Sequence, residues 1–124
     1  MTVTIRDIVE ALEAEVLAGE DLLDREVGVV IASDLVSDIL CCRDDASFLI
    51  TGLAKIQILR AADMLDLAGI CFVRDKVPDP ELVEGVRDMG IPILRSAKTM
   101  FEASGLVYAL GAKSGVYSPP SPPQ

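Results

Sequence analysis

The chain has 124 residues, 51% of them hydrophobic, with a formal net charge of -9 and no histidine. That length and apolar content suit one packed domain and exclude a disordered chain. The acidic balance argues against nucleic acid or an anionic membrane as partner, and the missing histidine removes the Ser-His and Cys-His nucleophile pairs.

The opening MTVTIRDIVE carries acids and no apolar stretch, so no signal peptide is read there. No apolar run approaches the roughly 20 residues that span a bilayer, and a cytoplasmic location is expected. Thr4 stands three residues before Asp7, close to a capping-box pattern, and Ile5, Ile8, Val9 and Leu12 form a helical stripe behind it. A short strand is expected at 15–17, ended by Gly19, and the acidic segment Glu20, Asp21, Asp24 reads as a loop. Val27–Ala32 is a continuous apolar run, which suits a strand covered on both faces. Ser33 or Asp34 then caps a helix carrying Leu35, Val36, Ile39 and Leu40.

From residue 47 the alternation is regular. A strand at 47–51 ends at Gly52, and a helix is predicted from about Leu53 to Leu67, closed by Gly69. A strand at 70–73 follows. Asp79 then caps a helix with Pro80 at its first position and Leu82, Val86 and Met89 on its core stripe, ended by Gly90. A strand is expected at 91–94, where Pro92 marks either an edge or a strand start. Ser96 is the expected cap of a last helix with Met100, Ala103, Val107 and Leu110 inward, stopped by Gly111. This alternation implies a small three-layer α/β domain, with a mostly parallel sheet of four to five strands flanked by helices. The domain is expected to span 1–113, and the Pro/Ser-rich 114–124 to be a disordered tail.

Open parallel sheets bind ligands beyond the carboxyl ends of their strands. Here those ends carry Ser33, Asp34, Thr51, Gly52, Arg74, Ser96, Lys98 and Thr99. Thr51-Gly52 reads either as a tight turn or as a close approach of backbone to an anion at a helix start. Ser33 and Ser96 read as caps or as ligand contacts, and Arg74 and Lys98 as solvated charges or as holders of a phosphate or carboxylate. Asp34 suits a helix start or a ribose hydroxyl. Neither a dinucleotide-binding nor a P-loop glycine pattern is present. Among Cys41, Cys42 and Cys71 the adjacent pair lacks zinc-site spacing, so buried thiols are expected, with a redox or metal role as the alternative. No catalytic group, metal or cofactor is expected. Leu53, Ile56, Leu59 and Met64 lie off the main stripe of their predicted helix, and Phe101 and Tyr108 off that of the last one. Ile56, Leu59, Met64, Phe101 and Tyr108 are therefore expected at a homodimer interface, with wide helix contacts on the sheet as the other account.

The segments FLITG at 48–52, LAGICFV at 67–73, IPIL at 91–94 and KTMFEASGLVY at 98–108 resemble the DRTGG-domain family over about residues 5–111. EVLAGEDLLDREV at 15–27 also resembles the opening of the N-terminal domain of HPr kinase/phosphorylase, which shares a related fold with that of MurF-like ligases. Leu53-Ala54 stands where other members place an acidic–arginine pair, and Arg74-Asp75 where others have Gly-Gly. The resemblance implies a non-catalytic regulatory module, beside a protein partner of redox or signalling type. The expected function is thus a homodimeric sensor of a small anionic metabolite or nucleotide. A structural adaptor without small ligand is the alternative, and an enzyme of phospho- or acyl-transfer the third.

Overall fold

A capping box starts the first helix. Thr4 Oγ1 accepts from the Asp7 N–H at 3.3 Å, and the Asp7 carboxylate accepts from the Thr4 N–H at 3.0 Å. The computed structural model describes residues 2–118. Helix α1 (Ile5–Leu12) buries Ile5, Ile8 and Leu12, as the stripe predicts. Strand β1 (Val3–Thr4) pairs antiparallel with β3 (Glu26–Val27) in a two-stranded ribbon. Between them lie β2 (Glu15–Ala18) and a single 3₁₀ turn at Glu20–Leu22, in place of the expected acidic loop.

The apolar run 27–32 is not one strand. Gly28 divides β3 from β4 (Val29–Ala32); its N–H bonds the Ala46 carbonyl, and a Cβ there would lie 2.8 Å from the Asp45 carbonyl oxygen. Helix α2 is only Val36–Ile39, and Leu35, expected in the core, is 56% exposed. Strand β5 (Ser47–Thr51) and β6 (Leu67–Phe72) are buried at every position, which is what unbroken apolar runs require.

The main sheet has the order β2-β7-β6-β5-β4, where β7 is Ile93–Arg95. Strands β4 to β7 are parallel and β2 closes one edge antiparallel. Strand β7 is interior, and Pro92 takes the position just before it, so the missing N–H costs the ladder nothing. One core packs α2, α3 (Ile58–Met64) and α4 (Pro80–Asp88) on Leu49, Ile70, Phe72 and Ile93. The other packs α1 and α5 (Met100–Ala109) on Phe48, Ile50, Cys71 and Leu94. The expected layers and mostly parallel sheet are therefore present.

Further positions differ from expectation. Leu53–Gln57 precedes α3 as a turn, because the Leu53 N–H bonds Thr51 Oγ1 and the Ile56 N–H bonds the Asp79 carboxylate, at 3.1 and 3.2 Å. Asp79 is thereby spent on the preceding loop and makes no side-chain cap for α4. Gly69 does not end α3. It lies inside β6 at a bulge opposite Phe48, where a Cβ would meet Ile5 Cδ1 at 2.9 Å and Phe48 Cε1 at 3.0 Å. Met89, expected on the core stripe of α4, is 41% exposed beyond its end, where Gly90 takes φ 73°.

Residues 113–118 are not free of the domain. The Val30 N–H bonds the Lys113 carbonyl and the Gly115 N–H bonds the Val30 carbonyl, both along the outer edge of β4. Farther on, the Val116 N–H bonds the Asp44 carboxylate at 2.8 Å and the Ser118 N–H bonds the Cys41 carbonyl. This segment forms a strap over the sheet edge. The remainder of the proline-rich tail, 119–124, lies outside the described residues.

Candidate functional site

The sheet order brings the expected residues to one rim. Asp34 follows β4, Thr51 and Gly52 end β5, Arg74 follows β6, and Ser96 follows β7. Four of them meet directly. Asp34 Oδ1 accepts from the Gly52 N–H at 2.5 Å and from the Thr51 hydroxyl at 3.3 Å, and Asp34 Oδ2 accepts from Arg74 Nη2 at 3.3 Å. Burial pushes the Asp34 carboxyl up, but the Gly52 N–H, the Arg74 guanidinium and the Thr51 hydroxyl together hold it below the ordinary carboxylate value. The Asp34 and Arg74 side chains are 44% and 43% exposed, so the pair faces water.

Glycine at 52 is needed for this contact. A Cβ there would fall on Arg74 Nη2 and lie 2.8 Å from Arg74 Cζ. Arg74 and Asp75 both adopt left-handed backbone, with φ 56° and 57°. For side chains larger than glycine this costs roughly 1–2 kcal/mol per residue. The turn is held from the segment just after β7: the Arg74 N–H bonds the Lys98 carbonyl at 2.8 Å and the Asp75 N–H the Ser96 carbonyl at 2.9 Å. Arg95 clamps it further, Nη2 donating to the Asp75 carbonyl at 2.9 Å and Nε to the Lys76 carbonyl at 3.3 Å, with a salt bridge to the Asp75 carboxylate at 3.1 Å. Arg95 is not among the residues expected at the site. The one sequence signal for it is a charged residue ending an otherwise apolar strand.

The remaining expected ligand residues are committed elsewhere. Ser33 Oγ accepts from the Leu35 N–H at 3.1 Å in a local turn. Ser96 does not cap α5; it is buried, donates to the Leu12 carbonyl at 2.8 Å and accepts from the Lys98 N–H. Lys98 Nζ pairs with Glu13 at 3.2 Å. Thr99 is the true cap of α5, in a capping box with Glu102. No helix N-terminus directly follows Gly52, since α3 begins only at Ile58.

The expected interface residues divide between the two helical layers. Ile56 and Met64 are exposed on the α3 side, and Leu59 is half-buried against Gly85 of α4. Phe101 and Tyr108, 88% and 77% exposed, lie on α5 across the sheet. One flat patch cannot hold both sets. Among the described residues, no group of metal-ligating side chains converges and no helix is long and apolar enough to cross a membrane. Cavities of about 400 and 260 Å³ flank the outer edge of β4, and the first of them touches Ser33, Cys42 and Tyr117.

Comparison with known proteins agrees with this architecture. A regulatory region of a Clostridium perfringens pyrophosphatase, comprising CBS and DRTGG domains in complex with the activator diadenosine tetraphosphate, superposes with a TM-score of 0.67 at 16% identity. The match covers 84% of this chain and 45% of that one, so this chain spans less than half of that regulatory region. No curated protein matches. The DRTGG domain family model matches residues 7–110, from the first turn of α1 to the end of α5, and the chain belongs to that family.

Proposed function

We propose that the chain is a non-catalytic regulatory module of the cytoplasm, whose strand-end cluster binds a small anionic metabolite or nucleotide and relays that state to a protein partner of redox or signalling type. The half-exposed guanidinium of Arg74 carries this reading. It extends from a strained turn whose backbone Arg95 clamps, and among the described residues only its Nη2 has a side-chain partner. Strain of this kind collects at ligand sites, and a guanidinium edge matches phosphate and carboxylate oxygens. The polyanionic activator of the pyrophosphatase region supports the same class of ligand.

The other side chains support a non-catalytic role. Thr51 Oγ1 is shared between Asp34 and the Leu53 N–H, and Ser96 is buried on a carbonyl. Burial pushes the Cys71 thiol up to about 12, away from the reactive thiolate.

The test is a thermal-shift screen of nucleotides, dinucleotides and phosphorylated metabolites. A ligand at about 100 times its Kd adds about 2.7 kcal/mol of stability and raises Tm by several degrees. The shift is expected to vanish in Arg74→Ala. A shift that survives this substitution removes Arg74 from the site.

The exposed face of α5 supports homodimerisation through Phe101 and Tyr108, and equally a structural adaptor that takes no small ligand. Sedimentation of the wild type and of Phe101→Glu separates them. A dimer that becomes monomeric supports self-association, and a wild-type monomer with no response to any metabolite favours the adaptor.

A further inference from the structure

Three donors from the ends of two neighbouring strands converge on one carboxylate. The Gly52 N–H and Thr51 hydroxyl come from β5 and the Arg74 guanidinium from the turn after β6. Backbone amides, hydroxyls and arginine are the groups that cradle phosphate and carboxylate anions in general. Here the anion is the protein's own. We propose that Asp34 is a built-in competitor: its carboxylate fills an anion site made by Gly52, Thr51 and Arg74, and a phosphate-bearing ligand binds by displacing it. The inference rests on the anion-sensing reading above and adds its regulation.

Asp34 is not spent on ordinary helix capping. Helix α2 begins at Val36 with Leu35 as its cap residue and no side-chain cap bond. The carboxylate instead reaches across to β5 and β6, 18 and 40 positions along the chain. Its side chain is nearly half exposed, so a rotamer change alone can carry it into water without unfolding any element. Two of the three donors, in contrast, are held in place, and the third is anchored at its backbone. Thr51 is fully buried, Gly52 follows it in a bonded turn, and Arg74 sits on a backbone held by Lys98 and Ser96. Displacement therefore moves the Asp34 carboxylate and leaves the Thr51 and Gly52 donors in place, beside an Arg74 side chain anchored at its backbone. Burial pushes the Asp34 carboxyl up, but the three donors together outweigh it and hold the carboxyl below its ordinary value, so it stays ionised at neutral pH and competes as a full charge.

The site therefore has two occupants of like charge that exclude each other. Apparent ligand affinity is scaled by the fraction of molecules in which Asp34 has swung out. Removing the carboxylate is expected to tighten anion binding, opposite to the loss expected from removing a ligand-contacting residue.

The experiment is a titration of inorganic phosphate into the full chain labelled with nitrogen-15, followed at the Gly52 amide. In Asp34→Ala the resonance is expected to move at phosphate concentrations lower than in the wild type by about tenfold. In Asp34→Asn, which keeps a neutral acceptor for Gly52 and Thr51, the change has the same direction and is smaller. In the double variant Asp34→Ala/Arg74→Ala the response disappears. Equal midpoints in the wild type and in either single variant overturn the proposal, as does a folded Asp34→Ala with no response. If Asp34→Ala does not fold, the Asp34→Asn midpoint decides alone. A nucleotide thermal shift lost in Arg74→Ala but unchanged in both Asp34 variants sinks the competitor and leaves the sensing reading intact. Absence of any nucleotide shift and of any phosphate response in every variant removes both.

Discussion

The Ser96 hydroxyl donates to the Leu12 carbonyl at 2.8 Å, joining residues 84 positions apart. Leu12 is the last residue of α1, where carbonyls have no partner within the helix. The bond therefore closes the end of α1 onto the rim of the sheet. Ser96→Ala leaves that carbonyl unpaired in a buried site and the Lys98 N–H unpaired in a half-buried one. It is expected to cost about 1–3 kcal/mol in urea unfolding. Any ligand-induced thermal shift should persist, because the hydroxyl faces α1. An unchanged unfolding midpoint contradicts this assignment.

Two glycines should respond in opposite directions to the same substitution. Gly69→Ala forces a methyl against Ile5 and Phe48 in a fully buried bulge. It is expected to destabilise by about 1–3 kcal/mol. Gly105 lies on the open face of α5, where an added methyl would meet nothing within 4 Å. Gly105→Ala is expected to stabilise by about 0.5–1 kcal/mol, since alanine loses less entropy in a helix. Thermal unfolding of the two variants beside the wild type checks both signs.

Acid should weaken the Asp34 cluster. A carboxyl held below its unfolded value stabilises the fold fully above that value, and the contribution is lost as pH falls through the folded one. The ordinary value is 3.8 and the folded one is lower, so the loss lies below pH 3.8. Glu102 is also held low by its capping box with Thr99, and acts in the same direction. Comparison with Asp34→Asn isolates the first group. The wild type is expected to be the more stable at neutral pH, with the gap closing in that acid range. A gap that grows toward acid would refute the sign.

Thiol chemistry should distinguish the cysteines. Cys71 is fully buried with its thiol pushed up to about 12, and Cys42 is buried with its thiol raised by desolvation and by neighbouring Cys41, Asp44 and Asp38. Cys41 is only half-buried. A mixed-disulfide reagent at about pH 8 is expected to label Cys41 rapidly in the native protein, and all three thiols in denaturant. Rapid native labelling of Cys71 would contradict its placement in the core.

Local signals carried the elements that local chemistry decides. The Thr4–Asp7 box, the unbroken run of β5 and Pro80 at the start of α4 each act within a few residues, and each was legible. The misread positions are those settled by distant partners. Gly69 has the spacing of a helix terminator, yet its role is set by Ile5 and Phe48. The turn at 53–57 carries helical periodicity, but Thr51 and Asp79 capture its amides first. The rim was legible as a set of residues, because strand ends follow from strand order. Which members meet was not. Ser96 and Thr99 both fit a cap, and only the position of Leu12 assigns the first to the core. The residue types at Arg74 and Asp75 do not signal backbone suited to glycine; the one pointer to it is the Gly-Gly that other members of the family carry there.

The strap along β4 bears on how this protein behaves when crowded. An outer strand offers a row of unmet amides and carbonyls that a second sheet can extend. Here the outward N–H and carbonyl of Val30 are both taken by residues 113 and 115 of the same chain. A chain ending at Ala112 would keep its two cores and lose this cover, leaving the apolar strand VVIA as a template for edge-to-edge strand addition. Loss of the segment after α5 is therefore expected to lower the concentration at which the protein stays dispersed.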